Sequence, residues 1–324
     1  MSPVKVVPLE EPHLDAAADL LARTHQVAVA DCRSNATEPA VAREMIAGSL
    51  RAGPAVAALD GRSLAGYMIV PLPATPGPDT ARWNECHHAA EPATARNAYR
   101  QMYAAVAPTL TSAGCFNHSV AVLPAEATVN AFFELGFGVD QIKGARRLLA
   151  ETAPAEVASV RPAEVDDLDE LVALSIELFM FHSRPPILRP ALLGGFEPRA
   201  DLQRNIESDA SAVLVAHDDE RLVGMMQAEA DARYARAVTI GMNIVAEHAR
   251  SGGIGSAMLR ALTVWALERE FEHCTVGWSS ANLVSDAFYR SRGFKPIRYR
   301  LARRVDPRIA WANERLDYRE LHVE

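Results

Sequence analysis

One stretch in the second half of the chain has residue types and spacing suited to holding an anion. It is Arg250-Ser251-Gly252-Gly253-Ile254-Gly255-Ser256. Glycines let the backbone turn tightly and come close to a ligand. The residues after this stretch read as a helix, because Ala257, Met258, Ala261 and Leu262 fall at helical spacing and Trp265 carries the apolar stripe on. The residues before it read as a strand, with Ile240, Met242 and Ile244 alternating with smaller or polar residues. The first amides of a helix have no partner within it and point outward at the positive end of its dipole. Strand, glycine turn and helix start together make a seat for phosphate. The bland reading is a left-handed turn that only opens a core helix.

Two phosphate-binding patterns fail here. Gly253-Ile254-Gly255 has no third glycine at dinucleotide spacing, and no Gly-Lys-Ser/Thr closes the loop as in a Walker A sequence. The loop instead resembles the Arg/Gln-x-x-Gly-x-Gly/Ala loop of the GCN5-related N-acetyltransferase (GNAT) family, which seats the pyrophosphate of acetyl-CoA. Downstream lies Asn282-Leu-Val-Ser285-Asp-Ala-Phe288-Tyr289-Arg-Ser-Arg-Gly293-Phe294. Many members of that family carry Asn, then Tyr seven residues later, then Gly-Phe. The chain departs in placing Ser285 where Ala is usual. The resemblance covers roughly residues 159–305 and implies acetyl-CoA as cosubstrate and an amine as acceptor.

Attack of an amine on a thioester asks for a phosphate anchor, alignment of the acyl arm, loss of the ammonium proton and a proton for the leaving thiolate. Ser251, Gly252, Gly253, Ile254, Gly255 and Ser256 would supply the anchor, with Arg250 as charge partner or merely a solvated cation at the loop edge. The strand ending in Ile244 and Val245 can pair its backbone with pantetheine amides, and its N–H groups can polarise the carbonyl. The resemblance makes Asn282 the side chain that bonds the pantetheine arm; the same residue could simply cap the helix beginning near Ser285. It makes Tyr289 the general acid; the alternative is a core aromatic whose hydroxyl has found a partner. Glu229 is the first candidate for general base and Asp231 the second, since a carboxylate near the acceptor end could take a proton through water. Either could equally be a solvated charge at a strand end, and His182 and Glu197 are outlying candidates.

The elements that must position these residues come from a duplicated chain. The run from Ala57 to Met68 reads like that from Val215 to Met226, and Gly136-Phe137 echoes Gly293-Phe294. A repeat of this length suggests two domains rather than a solenoid, as does a length of 324 residues. The expected fold is α/β (α+β): two tandem GNAT folds, each a mixed, mostly antiparallel central sheet flanked by helices. Expected boundaries are 1–150 and 158–324, with 151–157 as a short linker. Each half should run strand, helix, helix, strand, strand, strand, helix, strand, helix, strand. In the first half, residues 82–90 should be the central strand and 93–110 the helix after it. In the second, 166–180 should be the first helix and 181–198 a long loop, which in the family lines the acceptor pocket.

The first half keeps the scaffold and lacks the chemistry. Residues 92–97 occupy the loop region without a glycine, Ala125 takes the Asn282 position and Phe132 the Tyr289 position. A structural role, walling one side of a substrate cleft, is expected for it. Cys86-His87-His88 could suggest a metal, but neighbouring side chains on a strand point to opposite faces, and no metal is expected.

Composition fits a globular enzyme: 49% hydrophobic and 23% charged residues leave enough apolar surface for cores. Net charge is -8, and neither half is basic, with 12 basic against 14 acidic residues in 1–150 and 21 against 27 in 151–324. Nucleic acid is therefore not an expected partner. No run is apolar and long enough to span a bilayer, and the first fifteen residues do not read as a signal peptide. Four scattered cysteines without a CxxC pair suit a reducing compartment, so a cytoplasmic protein is expected. The acceptor would be a small-molecule or peptide amine; a single chain and a homodimer are both left open. Rival readings are a silent acyl-CoA-binding sensor or partner module, and an acyltransferase using a longer acyl group or a non-amine acceptor.

Overall fold

A computed structural model describes residues 4–28, 32, 34–74, 79–150, 159–190, 198–218 and 221–309. The expected linker 151–157 and Glu197 lie outside the described residues. In chain order the first elements are β1 (Lys5–Pro8), α1 (Leu14–Ala28), α2 (Pro39–Ser49), β2 (Ala55–Asp60), β3 (Ser63–Ile69), β4 (Thr80–Trp83), β5 (His88–Ala90), α3 (Ala95–Ser112), β6 (Asn117–Val122), α4 (Glu126–Glu134) and β7 (Gly138–Arg147). They are followed by β8 (Ser159–Pro162), α5 (Leu168–Ser183), α6 (Pro198–Ile206), β9 (Ser211–Asp218), β10 (Arg221–Ala230), β11 (Ala237–Val245), α7 (Ile254–Glu268), β12 (His273–Ser279), α8 (Leu283–Ser291) and β13 (Lys295–Arg304). The second series repeats the first, with β11 standing where the first has β4 and β5.

The chain divides into two compact units, residues 1–141 with 297–324 and residues 142–296. These are not the two continuous stretches expected, 1–150 and 158–324. Residues 142–147 of β7 count with the second unit, where β7 lies beside β12. Residues 297–304 of β13 count with the first, where β13 runs antiparallel to β6 from Tyr299 opposite Val122 to Arg304 opposite Asn117. Similarity between repeats tells which residues form a last strand; it does not tell which sheet that strand joins.

In the first unit, β1, β2, β3 and β5 form one antiparallel sheet. The turn at Asp60-Gly61 closes the β2–β3 hairpin, with Gly61 at φ 62°. β4 pairs parallel with β6. The core holds Trp83, Tyr99, Met102, Val120, Phe132 and Leu301 on one side, and Leu14, Leu20, Leu21, Ile46 and Tyr67 on the other. The single strand expected over 82–90 is thus two strands in different sheets. Asn84-Glu85-Cys86-His87 breaks it: the His87 N–H donates to the Asn84 carbonyl, and His87 Nδ1 accepts the Asn84 N–H at 3.1 Å.

The second unit carries the order β7-β12-β11-β10-β9-β8. β8 to β11 are antiparallel neighbours and β11 runs parallel to β12. Helix α5 packs on β10 and β11, and α7 on β9, β10 and β11. A side chain at Gly224 would meet Met258 Cε at 3.0 Å, so the glycine lets α7 lie close on β10. The loop expected over 181–198 begins later than anticipated, because Phe181, His182 and Ser183 complete α5; 191–197 lie outside the described residues.

Strand β11 is irregular at one point. Gln227 faces Met242 while Ala228 faces Ile240, so Gly241 is an extra residue that bends β11. Pairing with β12 runs from Ala237 opposite His273 to Ile240 opposite Val276. Beyond the bulge, β11 stays on β10 as far as Val245 opposite Gly224. Its register with β12 has ended by then, and that edge of Met242–Val245 is left for something else.

Candidate active site

The bent end of β11, the start of α7 and the inner face of α8 enclose a cleft of about 360 Å³ in the second unit. Gly253 caps α7 at φ 84°, Ser251 before it has φ 70°, and no side chain caps the helix. A left-handed N-cap turns the chain so that the leading amides of α7 face the cleft mouth rather than a capping group. Gly255 is small for another reason: a Cβ there would come within 3.2 Å of the Phe288 ring. Two guanidinium groups flank this turn. Arg250 lies over the Phe181 ring at 4.6 Å and donates its Nε to the Val245 carbonyl at 3.0 Å. Arg292 lies over Phe288 at 5.1 Å and donates Nε and Nη2 to Ser256 Oγ at 3.2 and 2.5 Å. Cations, outward amides and a helix N-terminus make this mouth fit for a pyrophosphate.

Tyr289 lines the same cleft. It is 4% exposed, and its ring is held by Trp278, Phe288 and Phe294 at centroid distances of 5.4, 5.2 and 5.3 Å. Asn243 Nδ2 donates to the Tyr289 hydroxyl oxygen at 3.0 Å. Burial raises the phenol well above its ordinary pKa, and the Asn243 bond only partly opposes this. The phenol therefore carries its proton at neutral pH.

The structure brings together most of the residues singled out in the sequence. Ile244, Val245, Arg250, Ser251, Gly253, Ile254, Gly255, Ser256, Asn282 and Tyr289 all line the cleft. Gly252 lies in the same turn and is exposed. Asn282 caps α8 as anticipated, its Oδ1 accepting the Ser285 N–H at 3.0 Å, and it also lines the cleft.

The first choice of base is not brought to the cleft. Glu229 is exposed and faces Thr239 across β10 and β11, roughly 13 Å along the strand from Asn243 at the usual rise per residue. Asp231 is committed elsewhere: it accepts from Thr275 Oγ1 at 2.6 Å and pairs with Lys143 Nζ at 3.1 Å. Burial pushes its pKa up, but Lys143, Thr275 and the Arg233 amide outweigh that and hold it low, so it is a weak base. His182 ends α5. The described cleft lining contains no carboxylate or imidazole. Sequence reasoning missed Asn243, Arg292, Phe181 and Phe288. Arg292 sits just before Gly293-Phe294 and carried a signal as a cation beside a recognised motif; Asn243 had only its polarity inside an apolar strand.

In the first unit the corresponding space is filled. His88 on β5 donates Nε2–H to the Ala121 carbonyl of β6 at 2.8 Å, and its Nδ1 accepts from the Tyr99 hydroxyl at 3.0 Å. Phe132, at the Tyr289 position, packs on both rings, at 5.8 Å from His88 and 5.1 Å from Tyr99. Ala125 begins α4 as Asn282 begins α8, without a side-chain cap. Thr94 begins α3 at φ -116°, so the left-handed turn of Gly253 has no counterpart there. Among the described residues no group of three or more His, Cys, Asp or Glu is placed to hold a metal.

Comparison with known proteins meets this geometry. Residues 181–294, which contain every cleft residue except Leu178, match the acetyltransferase (GNAT) family. No curated protein matches the sequence. A GCN5-related N-acetyltransferase from Sphaerobacter thermophilus is similar in structure at 16% identity, with a TM-score of 0.57 over 94% of this chain and 96% of that one. A tandem GNAT protein from the clavulanic acid biosynthesis pathway is similar at 17% identity, with a TM-score of 0.51 over 94% and 99%. At these identities the likeness speaks for the fold, and it extends across both units. Over residues 181–294 the chain carries an acetyltransferase domain of the GNAT family, an acyltransferase domain whose fold the two solved structures share.

Proposed function

We propose that the protein transfers acetyl from acetyl-CoA to a primary amine in the cleft of its second unit. One observation carries this: an anion seat, the end of β11 past its described register with β12 and a buried tyrosine hydroxyl line the same cleft. The pyrophosphate sits on the Ser251–Ser256 turn between Arg250 and Arg292. The pantetheine arm lies along Met242–Val245 as an added strand, with Asn282 donating to it. The thioester then reaches Tyr289. The amine nitrogen attacks the thioester carbon, the C–S bond breaks, and the Tyr289 proton passes to the departing sulfur. A thiolate formed in the same apolar cleft is desolvated as the phenol is, so its proton affinity rises alike and the transfer stays matched. The nitrogen gives its surplus proton to water, since no carboxylate or imidazole lines the cleft among the described residues, and Tyr289 is reprotonated from solvent.

The acceptor in this reading is a small-molecule or peptide amine. The acidic balance of the chain argues against nucleic acid. The free thiols of Cys115 and Cys274 suit a reducing, cytoplasmic setting. No described helix is long and apolar enough to cross a membrane. The first unit serves as a degenerate copy with a structural role.

Free-thiol release from acetyl-CoA, followed over a panel of primary amines, tests the reading. Amine-dependent release is expected. Tight acetyl-CoA binding with no release for any amine would instead make the chain a silent acyl-CoA-binding module.

A further inference from the structure

We infer that Asn243 is a positioning residue: it holds the Tyr289 hydroxyl with its proton turned into the cleft, and it takes an N–H of the bound substrate on its own oxygen. This rests on the acyltransferase reading above and assigns a role to a residue outside the recognised motifs.

Asn243 lies on the bent end of β11, two residues past the Gly241 bulge. Its Nδ2 donates to the phenolic oxygen of Tyr289 at 3.0 Å. A phenol oxygen occupied by a donor keeps its own proton for another partner. The opposite orientation of the carboxamide would accept that proton and consume what the leaving sulfur needs. The same bond stabilises the tyrosinate that exists once the proton has left, against a burial that disfavours it.

The other end of the carboxamide is the second observation. Asn243 Oδ1 is buried without a hydrogen-bond partner, in a residue that lines the cleft. A buried acceptor left unpaired is costly, and it becomes paired when a ligand brings an N–H. The cleft's substrates offer that group in two places, the amides of the pantetheine arm and the attacking amine. Asn243 thereby joins substrate occupancy to the direction of the Tyr289 proton.

A double-mutant cycle in the full-length protein tests this, with acetyl-CoA as donor and the amine giving fastest thiol release as acceptor. Asn243→Ala is expected to lower kcat about tenfold, the scale of one hydrogen bond, and to have little further effect in the Tyr289→Phe background. Asn243→Asp keeps the shape and can accept but not donate at neutral pH, so it should lose kcat as Asn243→Ala does; it guards against a packing defect. Calorimetry separates the sources of the N–H. Weaker acetyl-CoA binding by Asn243→Ala identifies the pantetheine amide; a raised KM for the amine at unchanged acetyl-CoA affinity identifies the acceptor. Additive losses in the cycle, or unchanged affinity and KM together, overturn the inference while leaving an active wild type as an acyltransferase. A wild type that neither binds acetyl-CoA nor releases thiol fails at the earlier step.

Discussion

Tyr289 illustrates what a single residue's surroundings decide. Its ring is clamped by three aromatics and its oxygen accepts from Asn243. Tyr289→Phe should therefore spare the packing and remove only the proton. Turnover should fall about 10²–10⁴-fold, the usual contribution of general acid catalysis, while calorimetry shows acetyl-CoA affinity little changed. The first unit already carries Phe132 in the matching place, fully buried, so the fold accepts phenylalanine there. Full turnover would remove Tyr289 from the mechanism, and a variant that does not fold would make it a core aromatic after all. Tyr289 and Asn282 were legible in the sequence because spacing to Gly293-Phe294 ties them to one helix. Glu229 was misread because a strand's end can be located without its register, and only the register places it opposite Thr239. Asp231 could not be judged, since Lys143, which neutralises it, comes from a distant strand. Asn243 was invisible because nothing in its neighbours distinguishes a cleft-facing amide from a solvated one.

At the scale of elements, two turns set what each half can do. Gly253 begins α7 at φ 84°, a conformation that a β-branched residue adopts only with strain. Gly253→Val should therefore abolish acetyl-CoA binding through the lost turn and through the methyl groups placed at the anion seat; calorimetry at unchanged affinity would remove this loop from the site. The strand–turn–helix was readable from glycines and periodicity. The break between β4 and β5 was not, because Asn84 to His87 carry no glycine or proline and the turn depends on the His87 ring closing back on Asn84. Past that break, His88 bridges β5 and β6 and is buried as the neutral ring. Burial lowers its pKa to about 4, only partly opposed by its bond to the Ala121 carbonyl. The unfolded chain binds the proton first, so this contribution to stability is present above pH 6.5 and lost as pH falls toward 4. The full drop is about 3 kcal/mol at 1.36 kcal/mol per pKa unit. His25 and His118, also buried with lowered pKa values, act in the same direction. Urea unfolding at pH 7 and pH 4.5 should show a smaller acid loss for His88→Gln than for wild type. Equal losses would mean that His88 is not held neutral.

For the whole molecule, the duplication was legible and the exchange of last strands was not. Two copies of one pattern announce two domains, yet residues 297–304 of β13 count with the unit that begins the chain and residues 142–147 of β7 with the other. Strand exchange leaves each strand's own pattern of apolar and polar residues intact, so no local feature reports it. The chain's two series therefore cannot be read as independent enzymes, and their chemistry has diverged. The second unit has a left-handed glycine cap, a bulged strand whose register with β12 ends early, and a tyrosine. The first has Thr94 at the cap, a strand broken outright, and His88, Tyr99 and Phe132 packed together where a pantetheine arm would lie. Admitting a ligand there would mean displacing three buried rings that form part of the unit's own core. Acetyl-CoA should accordingly titrate to one molecule per chain, and Gly253→Val should abolish that binding rather than halve it. Two equivalent sites by calorimetry would show that the first unit opens in solution. A half-loss in Gly253→Val would place the remaining site away from this loop, since Gly253 is the one position at which the variant differs from the wild type.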